Sequence, residues 1–228
     1  HPGQGARAEA FALADWDQDG DEDVLVRFYG GQLEFWENRL NTGGQFSAIP
    51  LNLTLPDADI GGSEMYAQDI NADGWPDLVV RTYNEVHWTL STGSAFDLAE
   101  WQILELPPNT GIYAFHVADF DQDGGIDLWL NIVDRLLPGS TQRVEIAYFD
   151  LAQQTYASSI PIYRSYTNYT PTQVRDYNND GYPDTYGTTG FRINMDDGLL
   201  FSARVIPNPI GPNGFYPSWS QPGIVTSL

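Results

Sequence analysis

DWDQDGDED at residues 15–23, DINADGWPD at 69–77, DFDQDGGID at 119–127 and DYNNDGYPD at 176–184 are four copies of one pattern, D-x-[DN]-x-D-G-x-x-D. Their first residues, 15, 69, 119 and 176, lie 54, 50 and 57 positions apart. Even spacing of a nine-residue pattern marks an internal repeat, and a period of about 50 residues points to a propeller or array. The segments around each copy repeat as well. AFALA, MYAQ, YAFHVA and PTQVR precede the loops, and VLVRFY, LVVRTY, LWLNIV and TYGTTG follow them. A third β-prone run comes next in each unit: QLEFWE, EVHWTL, RVEIAYF and FRINM. A turn and an aromatic (Phe46, Phe96, Tyr156, Phe201) lead to a fourth: SAIPLNL, AEWQILEL, SSIPIY and ARVI. Short strand signals at regular intervals, with almost no helical periodicity, predict an all-β protein. Four strands per unit is the arithmetic of a β-propeller blade.

The loop chemistry favours calcium, a hard cation that takes about six to eight oxygen ligands. Positions 1, 3 and 5 of a tight loop converge. These are Asp15, Asp17 and Asp19; Asp69, Asn71 and Asp73; Asp119, Asp121 and Asp123; and Asp176, Asn178 and Asp180. Glycine at position 6 (Gly20, Gly74, Gly124, Gly181) permits the turn. Position 7 offers a backbone carbonyl from Asp21, Trp75, Gly125 or Tyr182, and Asp23, Asp77, Asp127 or Asp184 closes the site at position 9. The bland alternative is a set of acidic turns, since Asp, Asn and Gly are ordinary turn residues. Carboxylates packed this closely without a cation repel one another. An EF-hand is excluded, because it needs Glu at position 12 between helices, and position 12 here is Val26, Val80, Leu130 or Gly187.

Composition narrows the partners. The 228 residues carry a net charge of −21, which argues against nucleic acid and against anionic lipid. No apolar run reaches transmembrane length, so membrane insertion is not expected. There is no cysteine, and all ten basic residues are arginine. Disulfides, thiol catalysis and lysine Schiff bases are thereby removed. A disulfide-free secreted or cell-surface protein needs other staples, and metal ions supply them.

The loop followed by an apolar strand resembles the FG-GAP/VCBS repeats, which form the blades of integrin α-subunit heads and of many bacterial and fungal extracellular proteins. The later Gly-x-Phe turn agrees at GGQF (43–46) and GSAF (93–96); DGLL (197–200) precedes Phe201, and AQQTY (152–156) departs. The resemblance covers roughly residues 8–206. It implies a β-propeller of four-stranded blades in which about four structural calcium ions, held by the residues named above, tie the first two strands of each blade. The expected division is a single domain over 1–206, with blades near 8–58, 62–110, 111–166 and 167–206, and a Pro/Gly-rich extension over 207–228. Propellers of this family usually have seven or eight blades, so four repeats make either a four-bladed ring or part of a larger or intermolecular propeller.

For function, the resemblance and the aromatic content imply a non-enzymatic binding or adhesion module, recognising a glycan or an extracellular protein. Trp16, Trp75, Phe120 and Tyr182 beside the loops, with Trp36, Trp88, Trp101, Trp129 and Trp219 elsewhere, are candidates to stack on sugars. The alternative for each ring is to fill a gap between blades. Two other functions stay open: a filament or coat subunit, homo-oligomeric or polymeric through residues 207–228, and a polysaccharide-active, lyase-like enzyme. A copper brace built on His1 with His87 or His116 is a further, weaker idea. Asn52 and Asn168 open glycosylation sequons.

Overall fold

Every acidic loop joins two strands, and the pairing shows why. In the computed structural model, which describes residues 7–55, 64–134, 142–157, 159–165, 171–187, 190–192 and 194, the residue before each loop pairs with its ninth position. Ala14 faces Asp23, Gln68 faces Asp77, Ala118 faces Asp127 and Arg175 faces Asp184. The loop is thus a β-hairpin connection, and the apolar segments that alternate around it become its strands.

The first blade is β1 (Ala8–Ala14), β2 (Asp23–Phe28), β3 (Gln32–Glu37) and β4 (Ser47–Thr54), antiparallel and in chain order. The second is β5 (Glu64–Gln68), β6 (Asp77–Arg81), β7 (Glu85–Thr89) and β8 (Gln102–Glu105), in the same order. The third uses β9 (Thr110–Ala118), β10 (Asp127–Asp134), β11 (Gln142–Ala147) and β14 (Ile160–Ser165). Between its last two strands a small hairpin of β12 (Phe149–Asp150) and β13 (Thr155–Tyr156) is inserted. The fourth blade shows β15 (Pro171–Arg175), β16 (Asp184–Gly187) and β17 (Gly190–Arg192). Among the described residues there is no α-helix, only a single 3-10 turn at Leu40–Thr42. The proposed fourth strand of the last blade, ARVI at 203–206, lies outside the described residues, as do His1, Asn168, Trp219 and the extension 207–228.

The sheets lie face to face in chain order, with β1 beside β5 and β9 beside β15. Apolar side chains fill the layers between them. Trp16, Leu25, Leu33 and Phe35 of the first blade pack on Met65, Leu78 and Val80 of the second. Ile70, Val79, Val86 and Trp88 meet Phe115, Val117, Leu128 and Leu130. Phe120, Trp129, Val144 and Ile146 form the layer against the fourth blade, which contributes Val174. Alternate residues of a strand point to opposite faces, so the second and third blades are apolar on both faces and bury both, whereas β1 of the first leaves Phe11 and Leu13 exposed.

This packing corrects one expectation. Trp16 and Phe120 are not surface aromatics, being 2% and 0% exposed. Trp88 and Trp129 are buried too. All four follow the gap-filling alternative. The repeat also explains the plugs: the second loop position carries Trp16, Ile70, Phe120 or Tyr177, and the first three enter successive inter-blade layers.

Candidate metal loops

All four loops share one backbone. Position 6 takes positive φ in each, at 96°, 92°, 96° and 97° for Gly20, Gly74, Gly124 and Gly181. That conformation suits glycine because no Cβ is present to clash. Position 4 is also left-handed, at 59°, 58°, 62° and 59° for Gln18, Ala72, Gln122 and Asn179. Sequence gave no signal for this, since Gln, Ala and Asn share no turn preference strong enough to mark it.

Two left-handed residues curl the chain so that its N–H groups meet its own carboxylates. The position-6 N–H donates to the position-1 carboxylate at 3.0, 2.8, 3.1 and 2.9 Å in loop order. The position-5 N–H donates to position 3 at 3.2, 3.2, 3.2 and 3.1 Å. The position-7 N–H donates to position 5 at 3.1, 2.9, 2.8 and 2.9 Å. The residues expected at positions 1, 3 and 5 are thereby gathered in every loop.

Position 9 does more than close the loop. Asp23, Asp77, Asp127 and Asp184 are all 0% exposed. One oxygen of each accepts the N–H of position 2, from Trp16, Ile70, Phe120 and Tyr177 at 3.0, 2.8, 2.8 and 2.9 Å. The other accepts an N–H from beyond the third strand, from Asn38, Ser91, Phe149 and Asn194 at 2.7, 2.7, 2.9 and 2.7 Å. The carboxylate therefore rivets three segments of one blade. Burial raises its pKa, to about 6 for Asp23, Asp77 and Asp184 and about 8 for Asp127, against the two N–H donors that lower it. Neighbouring loop carboxylates push the same way as burial.

The first and third loops meet the requirements of a cation on two counts, and the fourth on one. One oxygen each from Asp15, Asp17 and Asp19, and likewise from Asp119, Asp121 and Asp127, lie within 4.8 Å of one another. Oxygens that close can all touch one ion at about 2.4 Å. Secondly, Oδ1 of Asp21, Asp119 and Asp176 are buried without a hydrogen-bond partner among the described residues. A buried oxygen with nothing to accept from is costly, and a cation relieves that cost. The Asn loops differ in charge: Asn71 Nδ2 donates to Asp73 at 3.0 Å and Asn178 Nδ2 to Asp180 at 2.7 Å. Asp21 adds a side chain that sequence reasoning counted only for its carbonyl, and its second oxygen takes Asn41 Nδ2 at 2.7 Å.

The remaining candidates are dispersed. Trp75 and Tyr182 stand half-buried at position 7 of their loops, and Trp36 and Trp101 are half-buried elsewhere. Leu40 and Phe46, 59% and 41% exposed, sit in the β3–β4 connection that carries Asn41 to the first loop. His87 is buried against Trp101 and His116 lies 6.0 Å from Trp129, in different blades. Asn52 lies on β4.

The family model for the FG-GAP-like repeat matches residues 15–80 and 69–130, which together span just over half of the chain. Among solved structures, the chain is similar to an Agrocybe aegerita lectin described as specifically recognising non-reducing terminal N-acetylglucosamine. That match has 16% identity over 83% of this chain and 50% of the lectin chain, with a TM-score of 0.56. It is also similar to a structure of BBS1N in complex with ARL6DN, at 16% identity over 89% of this chain and 57% of that one, with a TM-score of 0.50. The chain thus spans about half the length of the solved structures it matches. No curated protein matches it. At this identity the likeness shows the fold, a β-propeller built of four-stranded blades.

Proposed function

This chain belongs to the FG-GAP-like repeat family, and on that premise we propose that it is a calcium-stapled propeller module that binds a glycan or protein outside the cell, rather than an enzyme. The observation that carries the calcium reading is a buried carboxylate oxygen without a hydrogen-bond partner among the described residues, one in each of three loops: Oδ1 of Asp21, Asp119 and Asp176. Asp15, Asp17, Asp19 and Asp23 would hold the ion in the first loop with the Asp21 carbonyl. Asp69, Asn71, Asp73, Asp77 and the Trp75 carbonyl would do so in the second. Asp119, Asp121, Asp123, Asp127 and the Gly125 carbonyl serve the third, and Asp176, Asn178, Asp180, Asp184 and the Tyr182 carbonyl the fourth. Calcium there supplies charge neutralisation and fixes a turn. At positions 1, 3, 5 and 9 the first and third loops carry one more carboxylate than the others, and ligand charge tunes calcium affinity, so they are the stronger pair.

A structural role for the ions leaves binding to the surface around them. Trp75 and Tyr182 stand half-buried at position 7 of their loops, and rings of this kind combine an apolar face with a polar tip. The lectin similar in fold recognises terminal N-acetylglucosamine, which makes terminal amino sugars the first ligands to try. The test is retention of the protein on a glycan array in 1 mM calcium (about the extracellular level) and in excess chelator. Calcium-dependent retention, lost in Trp75→Ala or Tyr182→Ala, is expected. Retention unchanged by chelator and by both substitutions would contradict the proposal.

A further inference from the structure

The loops touch one another in sequence. Gln18 Nε2, at position 4 of the first loop, donates to the carbonyl of Gly74, position 6 of the second, at 2.7 Å. Ala72, at position 4 of the second, has its Cβ 4.0 Å from where a Cβ on Gly124 of the third would stand. Gln122, at position 4 of the third, has Nε2 only 2.7 Å from where a Cβ on Gly181 of the fourth would stand. Position 4 of one loop thus lies beside position 6 of the next at all three junctions, and at the first a hydrogen bond joins them. Further ties reinforce it: Ile126 N–H donates to the Ile70 carbonyl at 2.9 Å, and Asn71 Nδ2 donates to Gln154 Oε1 at 2.8 Å. Asn194 Nδ2 donates to the Phe120 carbonyl at 2.9 Å while its N–H holds Asp184.

We propose that Gln18 is a positioning residue that couples the first two loops, so that filling the first with calcium prepares the second. This rests on the calcium reading of the loops. The path is explicit at the first junction. A left-handed conformation is unfavourable for a residue with a side chain, and Gln18 takes it at φ 59° where the next N–H, that of Asp19, donates to Asp15 Oδ1 and Asp17 Oδ1 at 3.0 and 3.2 Å. An ion that draws the carboxylates together fixes that conformation and aims the amide at Gly74. The Gly74–Trp75 peptide is then held from both sides: its carbonyl accepts from Gln18, and its N–H donates to Asp73 Oδ1 at 2.9 Å. Order in the first loop thus becomes order at a calcium-facing carboxylate of the second. Coupling of this kind is reciprocal between the two sites.

The test uses the full chain labelled with ¹⁵N-glycine and titrated with calcium chloride. The amides of Gly20, Gly74, Gly124 and Gly181 each donate to their own loop's first aspartate, so each reports its own loop. Gln18→Ala is chosen because alanine already occupies this position in the second loop. It should raise the calcium midpoint at Gly74 by about fivefold or more, the lower range of measured couplings. Asp17→Asn, which copies the second and fourth loops, weakens the first loop and should drag the Gly74 midpoint with it. In Gln18→Ala that drag should vanish while the Gly20 midpoint still moves. A Gly74 midpoint that stays within about twofold in Gln18→Ala, or ignores Asp17→Asn in the unsubstituted protein, overturns the coupling alone. If none of the four amides responds to calcium, the calcium reading falls and the coupling falls with it.

Discussion

A carboxylate with no exposed surface has to be explained by its partners, and the four position-9 aspartates have two each. Removing one, as in Asp77→Ala, leaves the N–H groups of Ile70 and Ser91 unpaired in a dry site. That should cost about 2 kcal/mol or more, measured by denaturant unfolding in excess chelator as well as in calcium. Asp73→Ala should differ: its exposed hydrogen bond to Trp75 is cheap to lose, so most of its effect should disappear in chelator. Equal loss for the two variants in chelator would refute the rivet. The same residues set a pH dependence. With burial raising their pKa to about 6, and about 8 for Asp127, the ion-free folded state binds protons that the unfolded state, with Asp near 3.9, has released. Stability of the ion-free protein therefore falls as pH rises from about 4 to about 8. Calcium favours the ionised form, so its stabilising increment should be larger at pH 8 than at pH 5. Melting curves with and without chelator at the two pH values measure this, and an increment that grows toward pH 5 contradicts it.

At the scale of the element, each blade is a hairpin with a buried aspartate at the end of its acidic turn, extended by further strands. Much of this was legible, because the loop pattern fixes the turn and the alternating apolar residues fix the strands. PTQVR is β15 as read, and SAIPLNL differs from β4 by one residue. The fourth strand of the second blade is shorter than AEWQILEL suggests, limited to Gln102–Glu105, since pairing depends on the neighbour's length as well as on propensity. The β12–β13 hairpin was not legible: its aromatics, Phe149 and Tyr156, resemble any turn-flanking pair until they pack edge to face at 5.0 Å. The rivets and position-4 contacts stayed hidden for the same reason, being set by what the fold brings near. The position-2 plug was readable in retrospect, as an apolar residue placed identically in four otherwise polar loops. Phe120→Ala should cost about 3–5 kcal/mol, as expected for a large buried ring. Phe46→Ala, though its ring holds the same place in its repeat as Tyr156, is exposed and should stay within about 0.5 kcal/mol. The urea midpoints of the two variants check the contrast, and similar shifts for both would contradict the burial assigned here.

At the scale of the molecule, stacked blades share their faces, so no blade buries its core alone. The excess of 21 negative charges opposes that stacking by self-repulsion, and four divalent cations would offset eight of them at the points of greatest crowding. A site filled at about 100 times its dissociation constant contributes about 2.7 kcal/mol. Four such sites are comparable to the entire net stability of an ordinary domain, about 5–15 kcal/mol. The most direct test of the calcium-stapled propeller is therefore thermal unfolding of the full chain at neutral pH, in millimolar calcium and again in excess chelator. The account predicts a large drop in Tm on chelation, reversed by adding calcium back in excess of the chelator. A melt that is the same in both would contradict it.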